Sequence, residues 1–332
     1  MRRSLRARLP VALGMLLAVP SVASAAGGQP DQVALTVRRD WMSLWSPRPL
    51  EFTLIVVALV AYSIRASRLG PRLPRWRAVC FIGGLLVLGF ASSSPIDPIG
   101  EHGVFWVHML QHMLIGDLAA LLLVLGVTGP ILQPALQFRV VQRLRALTHP
   151  MAACAIWAVI LIGWHTPFLY ELSLRNGFVH GLEHTSFLIG GTLMWMVLLE
   201  ALPAPEWFGT GAKLGFVLGI RTVDAILANA FWWAGTPFYA SYEKTAPLWG
   251  ISALEDQSYA GTVMMSWTGI VTLVVAVVLF FRMAREGELR QELIERGLDP
   301  AAVRRAVRYG RGELLAARHG VSLGDRPPTT MA

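Results

Sequence analysis

The chain has 332 residues, of which 54% are hydrophobic and only 15% charged, a balance far more apolar than that of an ordinary soluble domain. Its formal net charge of +8 does not indicate nucleic acid, because the arginines stand in short blocks between apolar runs and not on one continuous polar surface. Two cysteines, Cys80 and Cys154, are too far apart for a CxxC metal or redox motif, which disfavours a disulfide scaffold or thiolate centre and leaves them as small packing residues.

The first element is a three-part leader: basic Arg2, Arg3, Arg6 and Arg8, an apolar stretch over 9–19, and Ala23-Ser24-Ala25 as a cleavage box. A stretch of about eleven apolar residues is short for a bilayer, so residues 1–26 read as a signal peptide and 27–49 as an extracytoplasmic segment. Seven apolar runs then follow at approximately 50–66, 76–94, 104–125, 151–170, 179–202, 212–234 and 259–283, each near the ~20 residues a spanning helix requires. The expected fold is an all-α, polytopic bundle of about seven transmembrane helices over 50–283, followed by an Arg-rich tail over 284–332 that begins helical and ends in a Pro-containing, disordered stretch.

Orientation follows from the arginines. Arg65, Arg68, Arg72, Arg75 and Arg77 lie between the first two runs, Arg139, Arg143 and Arg145 between the third and fourth, and Arg282, Arg285 and Arg290 after the seventh. The loops 95–103, 171–178 and 235–258 are acidic or nearly neutral. Positive-inside counting puts the Arg loops and the C-terminus in the cytoplasm and the N-terminus outside, as in a multi-pass protein of a bacterial-type plasma membrane.

Drawn this way, six of the eight histidines fall at the outer membrane level. His102 is in the loop before the third run, His108 and His112 are in its first turns, His165 is near the outer end of the fourth, and His180 and His184 open the fifth. Each i,i+4 pair presents two imidazoles on one helix face, so the two faces together with His165 can surround one or two metal ions. At ~1.5 Å per residue His112 sits roughly 12 Å below the start of its run, a depth at which a polar group must be paired or functional. Met109, Met113, Met264 and Met265 accompany the histidines, and imidazole with thioether suits Cu(I) better than it suits a hard cation; methionine is equally a gap-filling residue. His180-Gly181-Leu182-Glu183-His184 formally matches the H-x-x-E-H zinc-peptidase pattern, but in an apolar helix that context is wrong for proteolysis. Bis-histidine haem ligation between the third and fifth helices is a further alternative. Deeper in the bilayer, Asp117, Arg221 and Asp224 are placed to form one buried ion network.

Four ordered blocks carry a resemblance: His108-Met109-Leu110-Gln111-His112-Met113, Trp164-His165-Thr166-Pro167-Phe168-Leu169-Tyr170, His180-Gly181-Leu182-Glu183-His184, and Asp256-Gln257 followed by Gly261 and Met264. Together they resemble the signature blocks of the CtaG-type assembly factors of caa-type cytochrome c oxidases, over most of the chain from about residue 50 to 283. The resemblance implies a multi-span, non-enzymatic protein that handles copper, as Cu(I), for a haem–copper oxidase subunit. It draws Asp256 into the metal set of His108, His112, His165, His180, His184, Met109, Met113 and Met264. The rival functions are a copper transporter or tolerance protein and a haem-binding membrane protein.

Overall fold

The computed structural model describes residues 30–46, 48–127, 129–321 and 323; the expected signal peptide and the last residues of the tail lie outside them. Among the described residues every regular element is helical. Five helical stretches are long and apolar enough to cross a membrane, or up to six when the pair formed by Val141–Thr148 and Pro150–Trp164, bent by 82°, is taken as one span.

The chain divides into two compact units. In the first, α1 (Pro30–Asp40) precedes α2 (Pro49–Leu69), which starts on a proline at its first position and stops at Gly70, whose φ of +54° suits a residue without a Cβ. α3 (Arg75–Ser93) leads through a short α4 (Ile96–His102) into α5 (Phe105–Met113). A π-helical turn, Leu114–Ala119, joins α5 to α6 (Ala120–Gly126). This composite helix is the core of the unit: Phe105, Met109, Ile115, Ala119 and Ala120 are almost wholly buried. α3 packs along α6, where a Cβ on Gly84 would meet the backbone of Leu123 at 2.9 Å.

The fourth apolar run departs from the expected single span. It is a 15-residue helix, α7 (Pro150–Trp164), which ends at His165 and is followed by α8 (Pro167–Arg175). The cause is local: Pro167 lacks an N–H and holds Thr166 in an extended conformation, so the helix cannot pass through. The fifth run forms α9 (Gly177–Leu198), capped by the Asn176 side chain, which accepts from the N–H groups of Phe178 and Val179. His180, Glu183 and His184 and its glycines dilute its hydropathy, and it is not among the five apolar stretches. Two glycines bring α9 onto the π-turn: a Cβ on Gly191 would overlap the Gly116 carbonyl. α10 (Thr210–Trp233), α11 (Ala240–Thr245) and α12 (Ala253–Glu295) complete the helical run.

On α2, Val56, Val60 and Ile64 are exposed, and on α12, Leu273, Val274 and Val277 are exposed; each is an apolar helix face suited to lipid and not to water. The second unit comprises residues 205–219 and the chain from 270 onward. Here the tail is more ordered than its composition suggests. α13 (Pro300–Arg308) and α14 (Gly312–Arg318) fold back so that Leu293, Val303, Val307 and Ala316 form a small core of their own.

The expected deep ion network also forms differently. Asp117, in the π-turn, accepts hydrogen bonds from the indoles of Trp195 at 3.0 Å and Trp267 at 2.8 Å. Arg221 donates instead to Thr268 and to the carbonyl of Met265, and among the described residues no ion pair joins it to Asp117. An indole N–H satisfies a buried carboxylate without bringing a second charge into the bilayer.

Candidate metal centre

The four histidines of the two i,i+4 pairs meet face to face. Ring centroids are 4.4 Å apart for His108 and His112 along α5, and 4.2 Å for His180 and His184 along α9. Across the helices, His108 lies 5.3 Å from His180 and His112 lies 5.3 Å from His184. All four are buried. The periodicity of the helix alone puts each pair on one face, and the close packing of α9 on the composite helix turns those faces toward each other.

Three overlapping sets bring one ligand atom per residue within 4.8 Å of one another: His108, His112 and His184; Asp97, His180 and His184; and His108, His180 and Glu183. Nε2 of His108, both nitrogens of His112, both of His180 and Nε2 of His184 are buried without a hydrogen-bond partner. Leaving buried polar nitrogens unpaired costs about 1–3 kcal/mol each, so a group of this many is a place that a metal ion or bound water can fill. A metal ion satisfies lone pairs that no protein donor reaches, and imidazole is the commonest metal ligand.

One nitrogen of His108 is tied back. Its Nδ1 lies 2.6 Å from Tyr170 Oη and 3.1 Å from Tyr242 Oη, while Tyr242 spends its own proton on the Gly100 carbonyl at 2.8 Å. With Nδ1–H donating to Tyr170, Nε2 keeps its lone pair toward the cluster. On the other flank, Asp97 is gripped by Arg48 and by Gln111 Nε2 at 2.8 Å. Glu183 Oε1 is 3.6 Å from His112 Nε2, and Glu101 Oε1 is 3.7 Å from His180 Nδ1. Burial, followed by repulsion from Asp97, raises the carboxyl of Glu101, in the loop helix α4, to about 7.

The remaining expected residues are placed less uniformly. His165 borders the cluster, 6.4 Å from His112 ring to ring, with Nδ1–H donating to the Leu161 carbonyl at 2.7 Å and Nε2 3.3 Å from Met109 Sδ. Met109 and Met264 lie in an apolar layer with Phe105, Tyr170 and Tyr239, and Met113 is buried farther along α5. Asp256 is committed elsewhere: its two oxygens accept from the N–H groups of Phe105 at 2.7 Å and Trp106 at 3.0 Å, at the start of α5. Asp97, Tyr242 and Gln111 were not among the expected site residues; nothing in the local sequence of Asp97 or Tyr242 distinguishes them, whereas Gln111 stands inside the block 108–113. Glu183 did carry a signal, a carboxylate between two histidines in an apolar helix.

Residues 56–286 match the family described as Cytochrome c oxidase caa3 assembly factor. The chain is also 26% identical over 256 residues to an uncharacterized protein of Mycobacterium leprae, and 25% identical over 252 residues to uncharacterized proteins of Mycobacterium bovis and Mycobacterium tuberculosis. Each alignment covers 70% of this chain, and the chain spans only 38% of the length of each of these relatives. No solved structure matches it.

Proposed function

Because the chain belongs to the caa3 cytochrome c oxidase assembly factor family, we propose that it carries copper, as Cu(I), on its histidine cluster and presents it to an oxidase subunit at the extracytoplasmic membrane face. The observation that carries this reading is the set of buried, unpartnered imidazole nitrogens on α5 and α9. Copper is here the cargo. Neutral imidazoles can hold Cu(I) in low coordination and release it to competing ligands without a redox step. The all-imidazole set, His108, His112 and His184, is the best match to a soft ion, with His165 and Met109 as the adjoining soft pair. The surrounding bundle crosses the bilayer seven times with its N-terminus outside, α7 and α9 serving as the fourth and fifth crossings, and the Arg blocks support that orientation.

The test is metal retention. Anaerobically loaded wild-type protein is compared with His112→Ala and His184→Ala, beside oxidase activity in a deletion strain complemented with each. Both variants are expected to lose copper and oxidase activity at near-normal membrane abundance, because removing an unpartnered imidazole breaks no hydrogen bond within the protein. His319→Ala, on the exposed tail, should change neither quantity. Normal copper content in a variant lacking all four histidines that still accumulates would overturn the reading.

A further inference from the structure

A cavity of about 420 Å³ lies between α2, α3, the composite α5–α6 helix and α9, and it is separate in character from the histidine cluster. Most of its wall is aliphatic, including Leu54, Ala58, Leu85, Leu123 and Leu188. One end is polar. Glu51 stands in the first turn of α2, Ser92 in the last turn of α3, and His184 and Thr185 near the start of α9. The other end runs down to Leu132, Met196 and Ala201. His184 is shared: its ring lines the cavity and also belongs to the cluster.

Both hydroxyls of the polar end have spent their donors. Ser92 Oγ donates to the Leu88 carbonyl at 2.8 Å and Thr185 Oγ1 to the Gly181 carbonyl at 2.7 Å. Glu51 holds Arg48 through Oε1 at 3.4 Å, while its Oε2 is buried beside the Ser92 hydroxyl, whose proton goes to Leu88. Beside the His184 ring, what remains at this end is acceptor capacity: a carboxylate oxygen and two hydroxyl lone pairs. A ligand that satisfies it brings an O–H donor, and one that fills the rest brings a long apolar chain. The volume falls within the range of roughly 300–1,000 Å³ common for small-molecule sites, and an apolar wall with a few convergent polar groups is their usual make-up.

We infer that this cavity binds a membrane-soluble chain ending in a hydroxyl head, with the hydroxyl on Glu51 beside Ser92 and Thr185 and the tail laid between α2 and α9. Two classes of bilayer molecule share that chemistry, a prenylated quinol and an acylglycerol. Either would lie against the His184 ring and so adjoin the cluster. The inference stands on the cavity and on Glu51, and it does not require that copper be the cluster's cargo.

The experiment uses the full chain in nanodiscs of phosphatidylcholine, which has no hydroxyl donor in its headgroup, titrated anaerobically with a decyl-chain quinol and followed by tryptophan fluorescence. Saturable binding is expected, with the di-O-methyl ether of the same quinol about tenfold weaker because it retains the ring and chain but loses the donor. Ala58→Phe fills the cavity midway and Glu51→Leu removes the acceptor; each should weaken the quinol by about tenfold or more at unchanged protein yield. Displacement of the quinol by monoolein would identify an acylglycerol as an occupant of the same site, and no displacement would leave the quinol as the source. Absence of saturable binding by both molecules, equal binding of the methyl ether, or unchanged binding by both variants overturns the proposal. Copper content is read in parallel on the same samples, so failure of the copper reading and failure of this one are distinguishable.

Discussion

Tyr170 and Tyr242 decide which nitrogen of His108 faces the cluster, since both hydroxyls lie within 3.1 Å of Nδ1. Groups that orient a metal-binding histidine in this way typically influence affinity by about 10–100-fold. Tyr170→Phe removes the shorter of the two bonds and leaves the ring stacked on Tyr239, 4.0 Å centroid to centroid. The expected result is a roughly tenfold weaker hold on Cu(I) in competition with a chelator, with little change in yield. An unchanged affinity would mean that Tyr242 alone fixes the tautomer. At Asp117 the residue scale overrides a simple charge count: with Trp195 and Trp267 as its donors, the carboxylate is satisfied without Arg221, and coupling in a double-mutant cycle should appear with Trp267 and not with Arg221.

At the scale of elements, α5 has no side-chain cap of its own, and Asp256 at the start of α12 supplies one from 150 residues away in sequence. A carboxylate there meets the exposed N–H groups and the positive end of the helix dipole together. Asp256→Ala should therefore cost about 1 kcal/mol of stability, read as a lower thermal midpoint, with copper per folded molecule unchanged; loss of copper at normal stability would restore Asp256 to the ligand set. α8 and α11 are tied by Glu171, which accepts from Ser241 N at 2.9 Å and Ser241 Oγ at 2.6 Å, with Arg175 at 2.9 Å. Burial works against this carboxylate, but those hydrogen bonds win and hold it below its ordinary value. A folded value depressed below the unfolded one contributes stability that is fully present above the unfolded value and is lost as pH falls through the folded one. Glu171→Gln should consequently melt earlier than wild type at neutral pH, and the gap should close as pH drops below about 4.5. A gap independent of pH would show that the contact is steric and not ionic.

For the whole molecule, the outer placement of the cluster and the cytoplasmic placement of the Arg blocks are one claim, testable without reference to metal. Reporters fused in the loops carrying His102 and Glu171 should behave as exported, and reporters at 67–75 and 139–147 as cytoplasmic. Cytoplasmic activity at both of the first two positions would invert the bundle and move the histidines to the wrong side for delivery outside. The tail follows a separate rule. Its small core of Leu293, Val303, Val307 and Ala316 predicts that it resists proteolysis up to about residue 320, despite its charged composition.

The family, the helical class and the histidine pairs were legible in the sequence because each rests on short-range information: hydropathy over ~20 residues, a spacing of four on a helix, and ordered motif blocks. What only the tertiary structure decided depends on contacts between distant segments. The break of the fourth run at Thr166–Pro167 had a local signal in the proline, yet apolar residues on both sides of it let the run read as one span. The recruitment of Asp97 beside His180 and His184, the diversion of Asp256 to the N-terminus of α5, and the clamping of Asp117 by two indoles had no such signal, because a carboxylate has the same sequence neighbours whether it meets a metal, a helix end or a tryptophan. The two i,i+4 patterns fixed which imidazoles share a face, whereas the absence of Cβ atoms at Gly116 and Gly191, closing α9 onto the π-turn, fixed that the two faces meet.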